Sequence, residues 1–129
     1  MDVPTKPRGA TVVGTDTFWM SEGRDDTGVL RLTLVGELDI ATAGELREHL
    51  GGLRANGHSV VLDLGRLDFI DSTGVRELIR ALSRARRDGL CLTIDRKVRP
   101  QVLRVIDLLG LRELFWPAAG AERPSGSPP

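Results

Sequence analysis

A single cysteine, Cys91, excludes an internal disulfide framework and any cysteine-cluster metal site in this 129-residue chain. No apolar run approaches the ~18 residues of a membrane-spanning helix, and the N-terminus has no signal-peptide core, so a soluble, cytoplasmic protein is expected. Net charge is also missing: 18 Lys and Arg offset 18 Asp and Glu, which argues against bulk attraction to nucleic acid or anionic lipid. Only Lys6 and Lys97 are lysines, so the positive charge is almost all arginine. Proline is nearly absent from the interior; six of seven fall in residues 1–9 or 117–129, leaving Pro100 alone between them. Those two segments are too polar to offset their ordering entropy and are expected to be tails. The remaining residues, 10–116, are long enough for one domain with its own core.

Within them, strand-like and helix-like patterns alternate. Val12 to Met20 predicts a strand, ended by the turn-rich Ser21 to Asp26. Leu30, Leu32 and Leu34 repeat at period two, the mark of a half-buried strand. Leu46, Leu50 and Leu53 predict a helix over 41–55, stopped at Asn56-Gly57. Ser59 to Leu64 is a nearly continuous apolar run, as in a strand covered on both faces. Leu67 to Ile70 then carries the chain to a helix over 74–87, with Val75, Leu78, Ile79, Leu82 and Ala85 on one face. Leu90 to Ile94 predicts another buried strand, Pro100 opens a third helix ending at Gly110, and Leu114-Phe115-Trp116 suggests a short last strand. This alternation requires helical crossovers, hence an α/β fold, with the strands at 59–64 and 90–94 parallel neighbours.

The segment Leu67 to Val75 carries the chemistry. Asp71, Ser72 and Thr73 lie where a strand gives way to a helix, where backbone N–H groups lack partners and the helix dipole is positive. A hydroxyl there is exposed and surrounded by donors. All three residue types also cap helices well, and from position alone that role is the stronger. Enzymatic alternatives fare poorly. A nucleophile elbow needs glycine where Ile70 stands, and neither His49 nor His58 has a spacing that makes it a triad base. The aspartic-protease motif is one residue shorter than Asp71-Ser72-Thr73-Gly74.

Phe69 to Val75 resembles the phosphorylation segment of STAS-domain proteins, specifically anti-sigma-factor antagonists. Gly36-Glu37-Leu38-Asp39-Ile40-Ala41-Thr42-Ala43 is similar to the block after that family's second strand, and Leu108 to Leu111 to its last helix end. The resemblance covers about residues 10–116. It implies a mixed sheet of four or five strands with helices mainly on one face, and a protein that is not an enzyme. It further implies partner switching. The unmodified chain would bind an anti-sigma factor with ATP-dependent serine kinase activity, freeing a sigma factor. That kinase would phosphorylate the serine matching Ser72 to end the binding, and a serine phosphatase would restore it. Glu37, Asp39, Asp71, Thr73, Gly74 and Arg76 would form the docking surface, without cofactor, metal, nucleic acid or membrane. Arg76 departs from the glycine common at its position, and its guanidinium is within reach of a phosphate on Ser72. A second reading keeps the domain but assigns it to a stressosome-type scaffold or a lipid-transporter accessory subunit.

Other features admit plain explanations. Arg76, Arg80, Arg84 and Arg87 share the polar side of the second helix, which reads more readily as a solvated face than as a contact surface. Cys91 is expected to be a small core residue. Trp19, Phe115 and Trp116 are expected as packing residues of strands, and Asp63 and Asp68 as two carboxylates flanking a loop. Charge divides along the chain: residues 1–71 hold 12 acids and 7 bases, residues 72–129 hold 6 acids and 11 bases.

Overall fold

A computed structural model describes residues 11–14 and 16–117. In chain order its elements are β1 (Thr11–Gly14), β2 (Phe18–Arg24), β3 (Leu30–Leu38), α1 (Ala43–Ala55), β4 (Val60–Ile70), α2 (Ser72–Arg87), β5 (Leu92–Ile94), α3 (Pro100–Leu108) and α4 (Arg112–Phe115). The expected tails lie, apart from Pro117, outside the described residues.

The strands form one sheet in the order β1-β2-β3-β4-β5. The first two joints are antiparallel and the last two parallel, as helical crossovers require. Even-numbered residues of β3 (Leu30, Leu32, Leu34) and Val60, Leu62 and Leu64 of β4 turn to one face. There Leu46 and Leu50 of α1, Val75 and Leu78 of α2, and Val102 and Ile106 of α3 close a single core. The other face of these strands carries Arg31, Thr33 and Asp63.

Several elements differ from the sequence reading for identifiable reasons. The stretch 12–20 is a hairpin rather than one strand: Gly14 pairs back on Trp19 across a turn, and β2 runs on to Arg24 because β3 pairs with it. Leu67 to Ile70 remains in β4. Two register shifts against β3 each insert a residue into β4, so its alternation breaks while its pairing continues. Asp63 and Asp68 therefore both stand on a strand, not on either side of a loop. Cys91 is exposed and precedes β5, which is trimmed to an edge of three residues. The segment 114–116 forms no strand. Gly110 (φ +70°) ends α3, Leu111 N–H closes on the Ile106 carbonyl at 3.0 Å, and the chain turns at once into α4. Phe115 still reaches the core, and the Trp116 indole N–H donates to the Ile94 carbonyl at 2.9 Å, covering part of the β5 edge.

Two ion pairs join α1 to α2: Arg47 with the buried Glu77 at 3.1 Å, and Arg54 with Asp88 at 2.9 Å. On the opposite face of the sheet Arg31 bridges Asp63 at 3.2 Å and Asp95 at 3.0 Å. The Lys97 backbone N–H and then the Arg31 guanidinium hold the Asp95 carboxyl below its ordinary 3.8. A carboxyl lowered in the folded state stabilises above its unfolded pKa and stops doing so as pH falls through the folded one. Asp95→Asn should therefore lower unfolding free energy by under about 1 kcal/mol near neutral pH, as expected of a partly exposed pair. Urea titrations should show this difference closing as pH falls from about 5 to below 3.8.

Candidate functional site

Two loops meet where β3 and β4 end and α1 and α2 begin. The first depends on Gly36, which pairs with Phe18 of β2 and holds a φ of +103°. A Cβ there would lie 2.1 Å from the Thr17 carbonyl oxygen, which accepts the Glu37 N–H at 2.9 Å. Beyond it, Leu38 enters the core and Asp39 turns the chain. One Asp39 carboxylate oxygen accepts the N–H groups of Ala41 (3.0 Å) and Thr42 (3.2 Å). The buried Thr42 hydroxyl donates to the Glu37 carbonyl at 2.8 Å and accepts from the Asp39 N–H at 3.0 Å. Asp39 is thus occupied in building the loop. Glu37 beside it is exposed, and its carboxylate makes no hydrogen bond or ion pair among the described residues.

The second loop is only one residue long. Asp71 is the N-cap of α2, in extended conformation, and its Oδ1 accepts the Gly74 N–H at 2.9 Å. Its Oδ2 accepts the Ile40 N–H at 3.3 Å, and its own N–H donates to the Leu38 carbonyl at 3.2 Å. One aspartate therefore both caps α2 and fixes the neighbouring loop. Gly74 is buried against that loop: a Cβ would lie 2.5 Å from the Leu38 carbonyl oxygen and 2.9 Å from side-chain atoms of Leu38 and Ile70.

Ser72 is the first residue of α2 and is exposed; Thr73 is half-buried. The structure thus extends the expected helix back from 74 to 72, because the Asp71 cap supplies the missing partner for its first turn. Arg76 is exposed one turn further on. Of the sequence-selected residues, Glu37, Asp39, Asp71, Ser72, Thr73 and Gly74 are brought together by these bonds and by the Leu38–Ile70 pairing. Only Glu37, Ser72 and Arg76 among the selected residues are exposed.

Two apolar residues escaped the sequence reading. Ile40 is 78% exposed at the tip of the first loop, and Phe69 is 48% exposed on β4, where it pairs with Glu37. The second β4 bulge causes this, leaving Asp68 and Phe69 both outward before Ile70 returns to the core. A signal was present: a period-two strand cannot bury both Phe69 and Ile70.

The arrangement presents a hydroxyl, and neither histidine of the chain stands beside it. His49 engages Glu22, and His58 lies before β4, about 33 Å of strand from Ser72 at ~3.3 Å per residue. Among the described residues no group of three His, Cys, Asp or Glu could hold a metal. No helix among them is long and apolar enough to cross a membrane.

Gly74→Ala should destabilise the fold by about 1–3 kcal/mol through overpacking against Leu38, and Asp71→Ala by about 1 kcal/mol through loss of the cap. Both are measurable as shifts in the urea midpoint. A Gly74→Ala variant as stable as the parent would show that the two loops can separate.

Comparison with known proteins places this geometry. The STAS-domain family model matches residues 19–122. An anti-sigma-B factor antagonist of Staphylococcus epidermidis is 33% identical over 88 residues, 67% of this chain and 81% of that protein. An anti-sigma-F factor antagonist of Mycobacterium tuberculosis is 32% identical over 93 residues, 70% of this chain and 74% of that one. The crystal structure of an anti-sigma factor antagonist from Mycobacterium paratuberculosis superposes with a TM-score of 0.65 at 25% identity, covering 81% of this chain and 90% of that chain. The paired loops around Asp71, on a mixed sheet with helical crossovers, belong to a member of the STAS-domain family.

Proposed function

We propose that this chain is an anti-sigma-factor antagonist governed by phosphorylation of Ser72. In its unmodified form it binds an anti-sigma factor that is also an ATP-dependent serine kinase, and so frees a sigma factor. The observation that carries this reading is the exposed Ser72 hydroxyl at the first position of α2, beside a loop presenting Glu37 and Ile40. The names of the relatives supply the partner class.

In the transfer the Ser72 oxygen forms a bond to the γ-phosphorus of ATP, the bond to the bridging oxygen breaks, and ADP leaves. The serine proton passes to a base of the kinase, since no histidine of this chain is placed to take it. A serine phosphatase reverses the modification by hydrolysis. Ile40 and Phe69 supply apolar contact and Glu37, Thr73 and Arg76 polar contact, while Asp39, Asp71 and Gly74 hold the shape.

Phosphate adds about −1.5 to −2 charges and three acceptor oxygens to the centre of that surface. In the free protein the helix N-terminus and Arg76 favour the added charge. In the complex the phosphate must fit between docked surfaces beside Glu37, where desolvation and repulsion together can lower affinity about a thousandfold.

Incubation with kinase-type anti-sigma factors of the source organism and Mg-ATP, followed by intact mass and site mapping, tests the assignment. One phosphate on Ser72, absent in Ser72→Ala, is expected. Ser72→Asp should bind the same kinase at least about tenfold more weakly than the unmodified chain. Equal binding by that variant would remove the switch.

A further inference from the structure

The outer side of α2 carries a strip of arginines, of which Arg76, Arg80 and Arg87 are exposed and Arg84 is half-buried. At 100° per residue, Arg76, Arg80, Arg84 and Arg87 fall within an arc of about 80°, which begins one turn below Ser72 and about 40° around the helix from it, over ~16 Å of helix. Among the described residues none of these four guanidinium groups, nor that of Arg86, has a side-chain hydrogen bond or an ion pair.

The acids that could have neutralised them are committed elsewhere. Glu77 is the only acid within α2 and is buried against Arg47 of α1, while Asp88 at its end is paired with Arg54. Like charges at i, i+4 work against a helix, and the first of the series opposes the helix dipole by standing near the N-terminus. Arg84 and Arg87 stand in the last turn, where the dipole favours cations, so it is Arg76 and Arg80 that bring charge without return to the helix. Arg84 and Arg87, with the Arg54–Asp88 pair, also line a polar cleft of about 150 Å³ at the far end.

We infer that this strip is a docking surface for an acidic face of the anti-sigma factor, continuous with the Ser72 site and responsible for fast, salt-sensitive association. The inference rests on the proposed function for the identity of the partner. Complementary charge is its basis: four cations without an ion-pair partner on one side of α2 match a carboxylate-rich protein surface. Nucleic acid is the poorer occupant, since α2 carries no aromatic residue on which bases could stack. Phosphorylation bears on this surface too, because a phosphate on Ser72 lies one turn from Arg76 and partly neutralises the upper end of the strip.

The test uses the anti-sigma factor that phosphorylates Ser72 and the full chain carrying Arg80→Glu, Arg84→Glu and Arg87→Glu, which leave the Ser72 loops untouched. Stopped-flow association at about 50 mM salt should be at least about tenfold slower for this variant than for the parent, and within about twofold at about 500 mM. The corresponding triple glutamine variant should fall between the two, and its circular dichroism and unfolding midpoint report whether the fold is intact. Unchanged rates at both salt concentrations, with Ser72 still phosphorylated, would overturn the docking surface and leave the switch standing. Absence of Ser72 phosphorylation in the parent chain would remove both. Binding of a ~20-base-pair DNA duplex at physiological salt by the parent, lost in the variant, would assign the strip to nucleic acid and overturn the inference.

Discussion

The two carboxylate oxygens of Asp71 hold together the two loops that form the proposed docking surface. One oxygen caps α2 at Gly74 and the other fixes Ile40, while the backbone N–H reaches Leu38. The helix start that exposes Ser72 and the loop that exposes Glu37 and Ile40 therefore move as one body. Gly74 is the steric counterpart of that bonding: the close approach of α2 to Leu38 leaves no space for a Cβ. In the proposed role, a surface bonded this way would meet its partner already shaped, with Ser72, Glu37 and Arg76 standing exposed on it. Rigid surfaces bind with less ordering cost.

Under the proposed function, that separation of duties lets a single modification at Ser72 alter binding without altering the fold. Asp39, Thr42, Asp71 and Gly74 are engaged internally, whereas Ser72, Glu37 and Arg76 face outward and lie apart from the core. In that proposal, phosphate added at Ser72 would meet a helix dipole and a nearby cation in the free protein but would displace contacts in a complex. The zero net charge of the chain is an average over unlike surfaces. The acids at the α1–α2 seam are paired with α1 arginines, so the outer side of α2 is left basic although the chain as a whole is neutral.

Much of the fold was legible because its signals are local. Period-two leucines at 30, 32 and 34 and the helical spacing of Val75, Leu78 and Leu82 each report one buried face. The parallel pairing of β4 with β5 follows from the helix between them. What escaped depended on tertiary contacts. The two β4 bulges answer the pairing with β3, and they alone keep 67–70 in the sheet and turn Phe69 outward. Leu114 to Trp116 has strand-like composition, yet the Gly110 turn and the packing of Phe115 make it helical. For the site, the motif residues named the place, but the double role of Asp71 and the inward commitment of Asp39 are properties of two loops meeting in space. Alternation sends Phe69 and Ile70 to opposite faces, but register decides which of them is exposed, and Ile40 is exposed by the fold of its loop.

The central claim is that phosphate on Ser72 acts on docking and not on folding. Its most direct test is to prepare the chain fully phosphorylated at Ser72 and measure two quantities against the unmodified chain: affinity for the anti-sigma factor by calorimetry, and unfolding free energy in urea. An affinity lowered by at least about a hundredfold is expected, with stability changed by less than about 1 kcal/mol. Equal affinity of the two forms, or a loss of stability large enough to account for the lost binding, would contradict it.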